Sequence, residues 1–328
     1  MLAQCPERHD HIMGLKIIGT GCGLPGKIVT NNDLAAIMDT SDEWISQRTG
    51  IRQRRILSGS ETLLELSAEA AAGALQDAGA SPEEIDLLIV TTVGGDYKTP
   101  SMSCLLAGEL GINCITLDIN MACCGFVYAL NAANAYLGAD MAKKILIVSA
   151  EALSRLTDWT DRSTCVLFGD AAAAVVLEQA DSAPVFSMEL RGKDGWEHLH
   201  AARGTDNCPF NDFENNGFLR MDGQDIYKFA VSSITARIHE ILNTCSLSID
   251  DIDTVLLHQA NLRIIKGAVT RFGSPEKFPH NIENYGNTSS ASVPLLLHET
   301  KDRFRPGDKL ILCAFGAGLA SAACLLKW

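Results

Sequence analysis

The sequence repeats itself once along its length. Three segments of the first half each have a counterpart in the second half, displaced by roughly 150–170 residues. In each half an acidic helix start leads into a first apolar strand. Further along the chain come a second apolar strand, a glycine turn and a third apolar strand. A period this long indicates an internal duplication rather than a solenoid, whose repeats are about 20–50 residues long. The paired segments are residues 80–92 with 246–258, residues 143–150 with 308–314, and residues 169–177 with 318–326.

The duplication predicts two similar α/β units. Amphipathic helical segments, residues 63–78 and 225–243, lie between the predicted strands. Strands that alternate with helices form mostly parallel sheets covered by helices. Two such units, packed against each other with pseudo-symmetry, give a five-layered α/β/α/β/α fold. We therefore expect a loose extension over residues 1–12, one half over residues 13–180 and a second half over residues 181–328.

The charge and hydropathy of the chain exclude several classes of partner. The 27 lysines and arginines are outnumbered by 40 aspartates and glutamates, which gives a formal net charge of −13. This balance argues against nucleic acid or an anionic membrane as the main partner. No apolar run reaches the roughly 18 residues that suggest a membrane-spanning helix, and the first residues lack the apolar core of a signal peptide. We expect neither nucleic acid nor a membrane as a partner.

The eleven cysteines favour neither disulfides nor a metal site. Most lie in apolar runs, where cysteine behaves as a small buried hydrophobe, and the sequence has no C-x-x-C pair. A reducing, cytoplasmic compartment is therefore expected. His198 and His200 could share one face of a strand, but no third ligand lies near them in the sequence. We expect a surface loop there and no metal.

Two adjacent cysteines, Cys123 and Cys124, stand at a predicted turn between a short apolar run and a helix-forming segment, residues 126–137. Free N–H groups and the dipole at a helix N-terminus stabilise a thiolate. A thiolate is the nucleophile that thioester chemistry uses. The pattern of residues does not choose between the two thiols.

Three further segments carry polar or glycine-rich chemistry. His258 lies at the carboxyl end of a predicted strand, with Gln259 and Asn261 close behind, and ligands bind at this edge of open α/β sheets. Asn287 stands in a polar turn before a helix and can donate two hydrogen bonds. Each also has an ordinary role, a core histidine for the first and a helix cap for the second. The glycine turn at residues 314–319 lets backbone N–H groups approach a ligand closely.

Seven short motifs occur in order along the chain. They are residues 39–52, the Ala122-Cys123-x-Gly-Phe turn, residues 160–162, residues 168–170, residues 258–263, residues 286–289 and residues 315–318. Together they resemble β-ketoacyl-acyl-carrier-protein synthase III, a family of the thiolase-like superfamily, over nearly the whole chain from about Leu15 to Trp328. The resemblance implies the thiolase-like five-layered fold. It also implies an acyltransferase that condenses an acyl-CoA primer with malonyl-acyl carrier protein (malonyl-ACP) and so initiates fatty acid synthesis.

The resemblance assigns catalytic roles to four positions. Cys123 matches the nucleophile, because it follows the family's Asp-x-x-x-Ala pattern. His258 and Asn287 match the other two members of a Cys-His-Asn triad. The N–H groups of Cys123 and Ala317 would form the oxyanion hole, although alanine is tolerated at this loop position only if the backbone angle does not require glycine. Cys124 stands where the family usually has alanine, and we expect it to be a packing residue.

The resemblance also implies a CoA groove, a pantetheine channel and a docking face for the acidic carrier protein. An aromatic face suits adenine, and arginines suit phosphates. No cofactor is expected, because acyl-CoA is a substrate. The matching residues are Trp44, Arg48 and Arg162 for CoA, Asn261 and Phe315 for the pantetheine arm, and Arg263, Lys266 and Arg271 for the carrier protein.

The acyl pocket of the family is closed by a residue from the partner subunit of a homodimer, in the loop that precedes a Pro-Ser pair. Here Thr99 stands before Pro100, where short-primer enzymes of the family have a bulky aromatic residue. We expect a smaller gate that admits a longer or branched primer.

Three other interpretations remain open. Related enzymes load primers in polyketide or signalling pathways, or transfer acyl groups to oxygen without condensation, and the intact His258 and Asn287 favour condensation. A non-catalytic partner subunit tends to lose the nucleophile, which this chain keeps. The third interpretation is a thiolase or a hydroxymethylglutaryl-CoA synthase, and a thiolase needs a second catalytic cysteine near the C-terminus. Cys313 and Cys324 lie there, but both fall within predicted strands.

Overall fold

The computed structural model describes residues 14–202 and 217–328. The expected extension over residues 1–12 therefore lies outside the described residues. The strands are β1 Gly14–Gly23, β2 Lys27–Thr30, β3 Gln53–Ile56, β4 Leu87–Thr91, β5 Ile115–Ile119, β6 Lys144–Ala152, β7 Asp170–Ala180, β8 Val185–Leu190, β9 Leu199–Ala201, β10 Leu219–Met221, β11 Thr254–Leu257, β12 Lys309–Gly316 and β13 Ala320–Lys327. The helices are α1 Asn31–Ala35, α2 Asp42–Thr49, α3 Leu63–Ala78, α4 Met102–Leu110, α5 Gly125–Gly138, α6 Arg162–Cys165, α7 Gly223–Cys245, α8 Leu262–Phe272, α9 Ile282–Tyr285 and α10 Ser292–Thr300.

Two sheets form the frame of the molecule. In the first, the order is β1-β7-β6-β4-β5; β6, β4 and β5 run parallel, and β7 is antiparallel to both β6 and β1. In the second, the order is β8-β13-β12-β11; β12 and β11 run parallel, and β13 is antiparallel to both β12 and β8. The series β4, β6, β7, β1 therefore corresponds to β11, β12, β13, β8. The repeated segments of the sequence form three of these four pairs, as the duplication predicts.

The central strands are buried on both faces, and successive side chains point to opposite sides of the sheet. On β4, Leu87 and Ile89 face the central layer, whereas Leu88 and Val90 face the outer helices. The central layer consists of α5 and α10, which pack against both sheets in one apolar core. The outer face of the first sheet is covered by α3 and α4, and that of the second by α7 and α8. The predicted five-layered α/β/α/β/α fold is confirmed.

Signals at the helix ends explain where the two predicted amphipathic helices form. α3 coincides with the predicted segment, because Thr62 and Glu65 form a reciprocal capping box at its start and Gly79 ends it with φ 61°. α7 extends the predicted segment by two residues at each end and starts at the side-chain cap of Asp222. Among the described helices, none combines the length and hydropathy that a membrane crossing requires.

The ends of both sheets and the starts of both central helices meet at one edge of the fold. The hydroxyl of Thr91, at the end of β4, donates to Ser290 Oγ at 3.0 Å, just before α10. The Ser290 hydroxyl donates to Glu151, near the end of β6, at 2.6 Å. Gly316, at the end of β12, packs against Cys123, just before α5. This is the edge at which α/β sheets bind ligands.

Candidate active site

Cys123 lies on a tight turn that begins the central helix α5. Ala122–Cys124 form a single 3₁₀ turn, and Ala122 has φ 45°, in the left-handed region that non-glycine residues rarely adopt. Such strain clusters at functional sites. The turn leaves Cys123 at a large cavity, whereas Cys124 is fully buried in the central core, where its thiol donates to the Ala320 carbonyl at 3.4 Å. The structure therefore gives the two thiols different environments.

The surroundings of the Cys123 thiol disfavour its thiolate form. Burial raises its pKa to about 12, and the nearby carboxylate of Glu151 acts in the same direction, whereas the Ser289 hydroxyl lowers the pKa. The sequence predicts a thiolate stabilised by the start of α5, but removal of the sulfur from water dominates. The thiol must therefore give up a proton when it attacks a substrate.

His258 is a buried, neutral imidazole. It is 1% exposed, and burial lowers its pKa to about 3. Its Nδ1 lies 2.6 Å from Ser292 Oγ, which also accepts the N–H of Gln259 at 3.4 Å. The tautomer of the ring decides which of these two atoms donates, and a Ser292 hydroxyl that donates to Nδ1 leaves the ring proton on Nε2. The ring packs against Phe315 with centroids 5.2 Å apart.

Asn287 is held by the first half of the chain although it belongs to the second. Its N–H donates to the Leu167 carbonyl at 2.8 Å, and its carbonyl accepts the N–H of Gly169 at 3.0 Å. Its side-chain Oδ1 accepts the N–H of Ser289 at 2.9 Å, so the amide is oriented with its Nδ2 donors free for another group. Gly286 precedes it with φ 65°, where a Cβ would lie 2.7 Å from the Leu167 carbonyl oxygen.

The glycine turn after β12 approaches the nucleophile directly. A Cβ on Gly316 would lie 3.0 Å from the Cys123 backbone nitrogen and 3.1 Å from its Cβ. Gly318, with φ 81°, and Leu319, with φ 42°, are the left-handed residues of the turn, whereas Ala317 is not among the residues with positive φ. The alanine at this position is therefore compatible with the backbone.

One cavity of about 1300 Å³ joins these groups. Both halves of the chain contribute to its walls, and the apolar part of the lining includes Leu199, Leu219, Met221, Ile226 and Tyr227. Of the thirteen residues to which the family resemblance gives a catalytic, binding, gating or docking role, four lie outside its lining: Thr99, Arg162, Lys266 and Arg271. The others line it together, namely Trp44, Arg48, Cys123, His258, Asn261, Arg263, Asn287, Phe315 and Ala317.

Comparison with known proteins identifies the family. Two family models match, 3-oxoacyl-[acyl-carrier-protein] synthase III over residues 117–194 and its C-terminal model over residues 242–328. A β-ketoacyl-[acyl-carrier-protein] synthase III of Clostridium acetobutylicum is 42% identical over 322 residues, which cover 96% of this chain and 98% of that protein. The chain belongs to the 3-oxoacyl-[acyl-carrier-protein] synthase III family.

Solved structures of the synthase III family have the same fold. The crystal structure of 3-oxoacyl-[acyl-carrier-protein] synthase III from Aquifex aeolicus is 41% identical, with a TM-score of 0.89, and covers 96% of this chain and 100% of that chain. The priming β-ketosynthase of the R1128 polyketide pathway is 34% identical, with a TM-score of 0.90, over 99% and 98% of the two chains. Members of the synthase III family are acyltransferases, and this protein is one of them.

The mouth of the synthase III cavity carries an aromatic ring and two arginines. The guanidinium groups of Arg48 and Arg162 each lie 4.8 Å from the centre of the Trp44 ring. Arg162 therefore reaches the mouth without lining the cavity, and its Nη1 donates to the Asp39 carbonyl at 2.7 Å. Asn261 has a second role, because its side chain accepts the N–H of Arg263 at 2.9 Å and caps α8.

Helix α8 presents the predicted docking residues to solvent. Arg263, Lys266 and Arg271 are exposed, whereas Ile264 and Ile265 are buried against α7 and the second sheet. The three charges therefore lie on the outer side of an amphipathic helix whose start is at the cavity.

The predicted gate residue Thr99 is exposed and lies in the loop between β4 and α4. Its neighbour Lys98 lines the cavity, and Tyr97 is 64% exposed. Thr99 is therefore not part of the cavity wall of its own chain.

Sequence reasoning missed Glu151, which is fully buried beside the site. Its Oε1 accepts the Ser290 hydroxyl at 2.6 Å and its Oε2 accepts the N–H of Val93 at 3.0 Å. Burial raises its pKa to about 7. The available signal was a single acidic residue near the end of an otherwise apolar strand.

Sequence reasoning also found no third ligand near His198 and His200, and the fold supplies different neighbours. Pairing of β9 with β10 brings the start of α7 to His198, so that its ring and the carboxylates of Asp222 and Asp225 lie within 4.8 Å of one another. Asp222 already accepts N–H groups of α7 as its cap. His200 is held by the Glu197 carbonyl, with 3.0 Å between Nδ1 and that oxygen.

Proposed function

We propose that the protein condenses an acyl-CoA primer with malonyl-ACP, with loss of CO₂, through an acyl-enzyme on Cys123. The reaction initiates fatty acid synthesis. The observation that carries the proposal is the meeting of the Cys123 thiol, the His258 ring and the Asn287 amide in one cavity. A nucleophile and two fixed neutral donors are the groups that this reaction needs. Membership of the synthase III family supports the same chemistry.

In the first half-reaction Cys123 attacks the acyl-CoA thioester. The negative charge that develops on the carbonyl oxygen is stabilised by the N–H groups of Cys123 and Ala317, which the close approach of Gly316 brings together. CoA leaves, and the acyl group stays on the sulfur. The net change transfers the thiol proton of Cys123 to the CoA sulfur, directly or through other groups.

In the second half-reaction the thioester carbonyl of malonyl-ACP accepts hydrogen bonds from His258 Nε2–H and Asn287 Nδ2–H. Loss of CO₂ places negative charge on that oxygen, so the two donors stabilise the transition state more than the ground state. The resulting carbanion attacks the acyl-enzyme, forms the carbon–carbon bond and releases the Cys123 thiolate. A neutral imidazole already carries one N–H donor, so His258 can donate this hydrogen bond without taking up a second proton.

Trp44, Arg48 and Arg162 are the proposed CoA site. The Trp44 ring suits the adenine, and the guanidinium groups of Arg48 and Arg162, which lie over that ring, suit phosphates. Asn261 and Phe315 line the path to Cys123 and would contact the pantetheine arm. The proposed chemistry uses protein groups and two thioester substrates, with no cofactor.

The proposed docking site of the carrier protein is the exposed face of α8. Arg263, Lys266 and Arg271 give a local positive surface on a chain of net charge −13, and such a surface attracts an acidic partner. Changing Lys266 to Glu should raise KM for malonyl-ACP several-fold with little change in KM for acyl-CoA. Arg303→Glu, at an exposed site after α10, is the matched control.

A homodimer is proposed from the edge of the first sheet. Among the described strands, β5 pairs only with β4. Ile115 on β5 is 47% exposed and Tyr97 nearby is 64% exposed. An unpaired edge with exposed apolar residues invites a second copy. The loop that contains Thr99 lies at the same edge, so in a dimer Thr99 would close the acyl pocket of the partner subunit. Because the nucleophile must stay reduced, we place the protein in the cytoplasm.

Priming of a polyketide pathway is the second candidate function. The R1128 priming β-ketosynthase covers nearly the whole chain with a TM-score of 0.90, and the small Thr99 agrees with a larger primer. The two functions share one chemistry and differ in the primer that is accepted.

Mass spectrometry of the reaction with acyl-CoA and malonyl-ACP tests the function. We expect a 3-oxoacyl-ACP two carbons longer than the primer and one CO₂ for each product. Transfer of the acyl group without CO₂ would instead identify a simple acyltransferase. A series of straight and branched primers tests the gate: Thr99→Phe should restrict labelling to short primers and Thr99→Ser should not, whereas a wild type labelled only by acetyl-CoA contradicts the gate hypothesis.

A further inference from the structure

Arg54 is a fully buried arginine that the proposed reaction does not use. It lies on β3, is 0% exposed and does not line the cavity. Burial lowers its pKa to about 10, so the guanidinium group stays charged at neutral pH. Among the described residues, no aspartate or glutamate forms an ion pair with it, and its Nε has no hydrogen-bond partner. A buried charge of this kind costs folding free energy, which points to a role that an apolar side chain cannot fill.

The guanidinium group binds oxygens from separate segments of the first half. Its Nη2 donates to the Val166 carbonyl at 2.8 Å. Its Nη1 donates to Asn31 Oδ1 at 2.9 Å and to the Val29 carbonyl at 3.3 Å. The Asn31 amide is itself fixed, because its Nδ2 donates to Asp42 Oδ1 and to the Ile51 carbonyl, both at 2.8 Å. One side of the guanidinium group is therefore anchored to β2 and the start of α1, and the other side holds the chain at residue 166.

The segment that Arg54 holds is the one that binds Asn287. The Leu167 carbonyl, one residue after Val166, accepts the N–H of Asn287 at 2.8 Å. The N–H of Gly169 donates to the Asn287 carbonyl at 3.0 Å. These bonds make a parallel bridge between Phe168 and Asn287. The backbone of Asn287 is therefore fixed by residues 167–169, and Arg54 binds the carbonyl that directly precedes them.

The aliphatic part of Arg54 lies against the same bridge. A Cβ on Gly169 would lie 3.1 Å from the Arg54 Cβ, and a Cβ on Gly286 would lie 3.6 Å from it. Gly169 follows Phe168 on one side of the bridge, and Gly286 precedes Asn287 on the other. Arg54 therefore supports both strands of the bridge by packing, in addition to its bond to Val166.

Arginine suits this place because its donors form a planar fork of fixed shape. The fork reaches Val166 and Asn31 at once and so fixes the distance between them. Hydrogen bonds from a charged donor are also roughly twice as strong as those between neutral groups. Lysine keeps the charge, but its single ammonium group on a flexible stem cannot hold both oxygens in the same geometry.

We propose that Arg54 is a positioning residue for Asn287: by fixing residues 166–169, it sets the direction in which the Asn287 amide donates. The inference rests on the proposed function and adds a residue to the second half-reaction. Acylation of Cys123 should not depend on Arg54, because its oxyanion is bound by the backbone N–H groups of Cys123 and Ala317. Decarboxylation should depend on it, since a misplacement of about 1 Å can cost about 10²-fold in rate.

Separate measurement of the two half-reactions provides the first test. Arg54→Lys should slow CO₂ release from malonyl-ACP about 10- to 10²-fold, whereas acyl-enzyme formation, measured by rapid quench, should keep the wild-type rate. A loss of folded protein would instead lower both rates by the same factor. Arg55→Lys makes the same change at the next residue of β3, whose Nη1 donates to the Pro25 carbonyl at 3.0 Å, and should leave both rates unchanged. Equal losses in Arg54→Lys, or an unchanged rate of CO₂ release, would overturn the inference.

A double-mutant cycle tests whether Arg54 acts through Asn287. In an Asn287→Ala background the amide is gone, so Arg54→Lys should slow CO₂ release by less than about twofold more. A purely structural role would not make the effect of Arg54→Lys depend on the Asn287 side chain. A further loss of about tenfold or more in the double variant would show that Arg54 acts on another group, which contradicts the proposal.

Asn31→Ala carries the test if Arg54→Lys fails to fold. It removes an acceptor of Arg54 Nη1 and leaves the bond to Val166 in place, so CO₂ release should fall about threefold to tenfold with acylation unchanged. An Asn31→Ala enzyme with equal losses in both rates, or with neither, contradicts the proposal. A wild type that forms the acyl-enzyme but releases no CO₂ from malonyl-ACP is a different result, because there the proposed function itself fails.

Discussion

The turns that begin the two central helices have the same backbone and different surroundings. Ala122–Cys124 precedes α5 and Ser289–Ala291 precedes α10, each as a single 3₁₀ turn. The first residue of each is left-handed, with φ 45° at Ala122 and 50° at Ser289. The middle residues, Cys123 and Ser290, therefore occupy equivalent positions in the duplicated fold. One is a thiol at the cavity, and the other is a hydroxyl with no exposure.

The difference between the turns comes from the strand that faces each of them. The eighth residue of β12, Gly316, packs against Cys123, and the eighth residue of β6, Glu151, binds Ser290. Glycine opens space for an acyl group and its oxyanion, whereas glutamate fills the space and brings a charge. The strained turn therefore occurs twice, and the residue on the facing strand differs between the proposed nucleophile and its counterpart Ser290.

Single changes of Cys123 and Cys124 to serine should give the largest difference in acylation and so show which thiol reacts. Cys123→Ser should reduce acylation by radiolabelled acyl-CoA about 10³-fold or more, because a hydroxyl is a much weaker nucleophile. Cys124→Ser should retain most of the labelling, since its hydroxyl can still donate to the Ala320 carbonyl. Labelling that survives in Cys123→Ser but not in Cys124→Ser would mean that the wrong thiol was assigned.

Changes in the second half should affect the second half-reaction alone. His258→Ala and Asn287→Ala should each slow decarboxylation of malonyl-ACP about 10²–10³-fold, as the loss of an oxyanion donor does. Acyl-enzyme formation should change much less, because its oxyanion is bound by backbone N–H groups. The two rates are measured separately by CO₂ release and by quench. If both rates fell equally, the proposal that His258 and Asn287 act only in the second half-reaction would be wrong.

The pH dependence of stability tests the burial of Glu151. Its pKa is raised from 4.5 to about 7, so between these values the folded state binds more protons than the unfolded state and the free energy of unfolding falls as the pH rises. Glu151→Gln removes this titration and should gain about 3 kcal/mol relative to the wild type between pH 4 and pH 8. Denaturant unfolding over this range measures it. Glu109→Gln, exposed on α4, should follow the wild type; a constant difference between Glu151→Gln and wild type would contradict the assignment.

Changing Gly316 to alanine should fill part of the space beside Cys123 and so make this turn more like the one at Ser290. The backbone there is extended, with φ −175°, so alanine is not strained. Its Cβ would nevertheless press on Cys123 at 3.0 Å and should slow acylation about tenfold through misalignment. Gly108→Ala, where a Cβ meets nothing within 4 Å, makes the same chemical change as a control. An unchanged acylation rate in Gly316→Ala would show that the close approach is not needed.

The duplicated architecture could be predicted from the sequence because its signals are local. The repeated strands and the capped segment of α3 required only periodicity and helix-end chemistry. The cavity residues were found by their positions at strand ends and through the family resemblance. Division of the chain at residue 180 stays a prediction, as do the catalytic roles of Cys123, His258 and Asn287.

What could not be predicted depends on contacts between distant parts of the chain. Glu151 and Ser290 are 139 positions apart in sequence, and only the packing of β6 against the turn before α10 brings them together. The raised pKa of the Cys123 thiol reflects burial, which outweighs the start of α5 as a source of charge stabilisation. The neighbours of His198 likewise come from the pairing of β9 with β10.

The shared core of α5 and α10 limits how this protein can change in evolution. Phe126 on α5 and Leu296 on α10 belong to one apolar layer that both sheets enclose. A fragment cut between β7 and β8 would expose its side of that layer to water. Neither half can therefore be exchanged for the equivalent half of a relative unless the buried surfaces match. The two copies arose by repetition, but they are now inherited as one unit.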